Sequence, residues 1–109
     1  MRVSRIRPGT VRPYRGPVNL PGDPSESGRF LAERYLPAVT PEALVSLVDR
    51  DRAAARAMSI HHVQTIYLPA DETCFTLFEA RSLELVTEAS DMFRLGYRRV
   101  VRAIVIGSP

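Results

Sequence analysis

Lysine and tryptophan are both missing from this sequence, cysteine occurs once, and no apolar run is long. Each absence excludes something. A lone cysteine, Cys74, leaves no disulfide framework within the chain, which fits a reducing cytoplasm. No stretch approaches the roughly 18 apolar residues that a membrane span needs. The Arg- and Pro-rich N-terminus has no apolar signal-peptide core, so the expectation is a cytoplasmic protein that neither crosses nor anchors in a membrane. There is no Gly-rich phosphate loop, no metal-hydrolase spacing and no helpful context for a Ser-His-Asp set, so the sequence argues against an enzyme. With no lysine, all 15 basic residues are arginine. That is the bias of a GC-rich genome, and it means no single Arg is singled out by its type.

What is present divides in two. Residues 1–28 hold five of the nine prolines and four of the six glycines, with no helical or alternating apolar pattern. Such density of proline biases the backbone to extended, irregular geometry and predicts a basic arm. Arg2, Arg5, Arg7, Arg12 and Arg15 against Asp23 and Glu26 place the chain's whole net charge of +3 there. These arginines, with Tyr14 as an aromatic anchor, suit a partner, a protein above all, met through carboxylates or phosphates; a solvated extension is the competing reading. Residues 29–109 are charge-balanced and long enough for one small domain.

Within that domain six segments follow one another. Arg29 to Leu36 reads as a strand stopped by Pro37. Thr40-Pro41-Glu42 opens a helix to about Ala57, with a capping hydroxyl, a proline where no bond is lost and an acid at the positive end of the dipole. Leu44, Leu47, Val48, Ala55 and Met58 recur at the helical period. Ile60 to Leu68 and Thr73 to Ala80 flank a Pro-Ala-Asp-Glu break and read as a β-hairpin. Ser82 caps a second helix, Gly96 stands where a left-handed terminator is expected, and Arg99 to Ile106 is a last strand. This is the βαββαβ order of an α+β, ferredoxin-like domain: a four-stranded antiparallel sheet with two helices on one face.

The uncovered sheet face is then the natural place to meet a partner. Alternation assigns Leu31, Glu33 and Tyr35 of the first strand and His62, Gln64 and Ile66 of the second to it. Phe75, Leu77 and Glu79 of the third join it in one of that strand's two phases, between which the pattern does not decide. A face so apolar predicts a homodimer or a bound ligand.

From about Phe30 to Ile106 the chain resembles a family of small actinobacterial ferredoxin-like proteins related to a nickel-binding, nickel-responsive protein. The resemblance is carried by FLAERYLPAVTPEAL, IHHVQTIY, CFTLFEA and VVRAIVI in that order. It implies a compact dimer that binds nickel or another transition metal and has no assigned reaction. Where those proteins commonly carry a helix-two His, Ala89 stands here. His62 replaces a strand-two aromatic, and Ala80-Arg81-Ser82 replaces Ala-Pro-Asp.

His61 and His62 are the only histidines, and as strand neighbours they point to opposite faces. The candidate metal set is His62 with Glu33 or Glu79, and His61 as the other imidazole; imidazole and carboxylate suit nickel or zinc. Glu33 and Glu79 would form an acid pair if the first and third strands set them side by side. An RNA-recognition sheet is disfavoured, since CFTLFEA lacks the Gly and base of that signature and the domain has no net charge. The leading expectation is a non-catalytic dimer with a possible transition metal and a partner-contacting arm. The alternatives are a small-ligand binder or minor enzyme of the dimeric α+β barrel type, and an interaction subunit of a larger assembly.

Overall fold

In a computed structural model, residues 27–107 are described. The order is β1 (Gly28–Tyr35), α1 (Pro41–Ala57), β2 (His61–Leu68), β3 (Thr73–Ala80), α2 (Leu83–Met92) and β4 (Arg99–Ala103). The strands form one antiparallel sheet in the order β2-β3-β1-β4. The domain is therefore ferredoxin-like, with the helices layered on one face. The arm residues Arg2, Arg5, Arg7, Arg12, Tyr14 and Arg15 lie outside the described residues.

Local chemistry explains the element ends. The Thr40 hydroxyl accepts from the Ala43 amide at 3.1 Å and Pro41 occupies the first helical turn, while Ser82 does the same for α2 by accepting from the Leu85 amide at 3.2 Å. Both helices close by the same double bond pattern. In α1 the Ile60 amide reaches Ala55 O (2.8 Å) and the Ser59 amide reaches Arg56 O (3.2 Å); in α2 the Leu95 amide reaches Ser90 O (2.9 Å) and the Arg94 amide Asp91 O (3.4 Å). The left-handed terminators are thus Ser59 (φ 58°) and Arg94 (φ 54°). Gly96, at φ 78°, is a second left-handed residue farther along the loop and not the cap itself. What fixes the stop is the buried apolar residue that follows each terminator, Ile60 or Leu95. β4 is also shorter than its apolar run. Its last partner is Arg29, opposite Ala103, and β1 starts one residue before that, so among the described residues Ile104 to Ile106 have no strand to pair with and stand exposed.

The core lies between sheet and helices: Phe30 and Ala32 of β1, Phe78 and Ala80 of β3, Ala55 of α1, Ile60, and Val86 and Ala89 of α2. Two buried residues are charged. Arg34 continues the inward alternation of Phe30 and Ala32, and Asp51 sits in the apolar stripe of α1; they are 3% and 0% exposed. Arg34 donates through both terminal nitrogens to the Asp51 carboxylate (2.6 and 3.2 Å) and through one of them to Leu95 O (2.7 Å). Its guanidinium stacks 4.8 Å from the Tyr97 ring centre.

Removing one member of such a pair strands a charge in the core. Asp51→Ala is expected to destabilise the domain by about 3–5 kcal/mol, read from urea unfolding midpoints. The double variant Arg34→Met/Asp51→Leu should recover most of that loss; an Asp51→Ala midpoint equal to wild type would refute the assignment.

Candidate functional site

The bare face of the sheet is organised in cross-strand rows set by the register. His61, Glu79, Arg29 and Ala103 form one row; Gln64, Leu77, Leu31 and Val101 the next; then Ile66, Phe75, Glu33 and Arg99; and finally Leu68, Thr73 and Tyr35. Its middle is apolar. Its most exposed apolar residues lie toward one end and the β2 edge, Tyr35, Ile66 and Leu68 at 52%, 49% and 39%, while the central Leu77 is 7% exposed. The phase of β3, open in the sequence, is settled by this register: Phe75, Leu77 and Glu79 share the face with Leu31, Glu33 and Tyr35.

The two carboxylates of the face do not meet. Glu33 lies opposite Phe75, and Glu79 lies opposite Arg29, four residues farther along β3, so no acid pair forms. Each is instead engaged by arginine: Glu79 accepts from Arg29 at 2.9 Å, and Glu33 from Arg98 at 3.0 Å with Arg99 at 3.9 Å. Tyr35 donates to Glu72 at 3.1 Å, whose other oxygen holds the Ala38 amide at 2.7 Å; this carboxylate raises the Tyr35 phenol above its usual range.

His62 is not on this face. The register shifts between His62 and Gln64, so Val63 is an extra residue in β2 and the alternation slips by one. Gln64 and Ile66 keep their expected side, whereas His62 turns toward the helices and His61, opposite Glu79, takes the bare face. His62 packs edge-on against Phe78 with ring centres 5.8 Å apart. Its Nε2 shares a hydrogen bond of 2.8 Å with the Thr65 hydroxyl, which lies 3.3 Å from that of Thr76. Burial first, and the positive charge of Arg52 second, lower its pKa below 6.5.

The candidate metal ligands are thereby split between the two sides of the sheet. His61 and Glu79 share the bare face with Glu33 two rows away, His62 lies on the other side, and Cys74 is fully buried there with its thiol pKa raised by burial. Among the described residues no three of His, Cys, Asp or Glu lie together as a metal site.

Sequence reasoning missed the polar cluster on the helix side: Arg34, Asp51, Tyr97, and the hydroxyls of Thr65 and Thr76 leading to His62. Tyr97 Oη and His62 Nδ1 are buried with no hydrogen-bond partner among the described residues, and burial pushes the Tyr97 phenol far up. A signal existed. Arg34 occupies an inward position of β1, and Asp51 lies three and four residues from Val48, Leu47, Ala54 and Ala55 on the α1 stripe.

No family model matches this sequence, and no curated protein does. A solved structure does. The crystal structure of SCO4226 from Streptomyces coelicolor A3(2) superposes with a TM-score of 0.64 at 19% identity, covering 72% of this chain and 98% of that one. At that identity the likeness shows the fold alone. Among the described residues no helix is long and apolar enough to cross a membrane.

The lowered pKa of His62 has a sign that can be measured. The folded protein holds this imidazole neutral while the unfolded chain takes up a proton near pH 6.5. The stability it contributes is thus complete above pH 6.5 and is lost as pH falls toward the folded value. Urea midpoints at about pH 7.5 and about pH 5.5 should fall more for wild type than for His62→Gln. Identical falls would rule out a buried neutral His62.

Proposed function

We propose that this chain acts without covalent chemistry, as a homodimer whose two copies cover each other's bare sheet face, and that it works by binding. The observation that carries this reading is the apolar centre of that face, Leu31, Leu77 and Val101 in one row with Ile66, Phe75 and Leu68 beside it, bordered by Glu–Arg pairs. Such a face in water is costly, and its isologous burial against a second copy removes the cost for both. Catalysis finds little support: the carboxylates that would do acid–base work are each held by a guanidinium, and of the two imidazoles only His61 shares their face.

Nickel or a related ion enters this reading only at the interface. His61 and Glu79 face one another on adjacent strands, and a second copy brings a second pair, together the four donors such ions accept. Arg29 would have to release Glu79 for this to occur. The basic arm, with Arg2, Arg5, Arg7, Arg12 and Arg15, supplies contact to an acidic protein partner in the same proposal.

Light scattering on the full chain at about 10 µM should give twice the monomer mass, and Ile66→Glu or Phe75→Glu should halve it. A wild-type monomer would end the proposal. Protein made without a His tag and loaded with nickel should carry one ion per dimer by mass spectrometry and lose it in His61→Ala. Nickel retained equally by both would remove His61, and nickel absent from wild type would remove the ion and leave the dimer.

A further inference from the structure

The helix layer carries a second concavity, away from the bare face. Between α1 and the edge strand β2 runs a groove of about 280 Å³. Leu44, Val45 and Val48 form one wall, Tyr67 the other, and Asp49 and Arg52 line the same groove. Residues 45, 48, 49 and 52 follow the helical repeat, so one flank of α1 presents them all.

The polar groups at the strand side of this groove are already satisfied. Tyr67 donates its hydroxyl to Leu36 O at 2.9 Å and so offers its ring; the Thr65 hydroxyl is shared with His62 and Thr76. The charges of the helix side are not. Arg52 and Asp49 approach only to 3.9 Å, with side chains 54% and 70% exposed, which is too loose and too wet a pair to contribute much. The groove therefore joins an apolar trough, including Val45 at 61% exposure, to one cation and one anion side by side.

We propose that this groove binds a free α-amino acid with a branched aliphatic side chain. The ligand carboxylate meets Arg52, its ammonium meets Asp49, and its side chain lies on Val45, Val48 and the Tyr67 ring. Charge complementarity requires both signs on one small molecule, and a plain fatty or aromatic acid would leave Asp49 facing its carboxylate. Size permits it: a groove of about 280 Å³ has room for a molecule as small as leucine. The site is on the helix side of the sheet and does not depend on dimerisation through the bare face.

Titration calorimetry on the full chain tests this with leucine, isovalerate and isopentylamine as probes. Leucine should bind saturably, one per chain, and about tenfold or more tighter than either single-charge analogue. Arg52→Gln, Asp49→Asn and Val45→Glu should each weaken leucine by about tenfold or more. All three positions are exposed, so unchanged melting curves without ligand will show that folding is intact. Isovalerate binding as tightly as leucine, leucine binding unaltered in the variants, or no saturation by about 10 mM would each overturn the proposal.

Discussion

The Arg34–Asp51 pair is the constraint on which the arrangement of this small domain depends. It joins three separate pieces of chain: β1 through Arg34, α1 through Asp51, and the connection between α2 and β4 through Leu95 O. A buried ion pair is a poor source of net stability, because taking two charges out of water costs about what their attraction returns. What it adds is a demand on geometry. Only one placement of α1 over the sheet satisfies both carboxylate oxygens, and the remaining guanidinium bond fixes where the chain leaves α2. In a core otherwise made of Phe, Ala, Val and Ile, which could slide by a residue at modest cost, that demand selects one packing.

The groove beside α1 belongs to the same helix as Asp51. Next to Asp51 the helix presents Ala54 and Ala55, and these three are its buried residues. Side chains this small let the helix lie close to the sheet. One and two turns earlier it presents Leu44, Leu47 and Val48, none of them fully buried. Leu44 and Val48 line the groove together with Thr65 and Tyr67 of the edge strand.

Much of this architecture was legible in the residues. Thr40-Pro41-Glu42 and Ser82 mark helix starts by chemistry that acts within one turn, and the ends of α1 and β3 coincide with the expected ones. Leu31, Tyr35, Gln64 and Ile66 fall on the bare face as alternation requires. What alternation could not supply was the slip at Val63. A bulge there carries no glycine or proline to announce it, and it is decided by how β2 pairs with β3; yet it exchanges the roles of His61 and His62. The helix ends show the same limit. Gly96 was the locally favoured terminator, but Leu95 entering the core made Arg94 adopt the left-handed turn. Longer-range pairings, such as Glu33 with Arg98 or Arg34 with Asp51, depend on register and helix placement, which no local pattern encodes.

The absence of lysine gives the charge pairs of the bare face a particular character. Arginine stays protonated at any pH a folded protein meets, and its planar fork holds a carboxylate with directed bonds. Glu79 with Arg29, and Glu33 with Arg98, are therefore already engaged, and a metal or a substrate must first displace a guanidinium. Around an apolar centre, charges so paired act mainly by restricting which surface can cover them. In the homodimer proposed above, a two-fold axis would set acid against base only where it places the two members of a pair opposite each other, so this border constrains how two copies could pack.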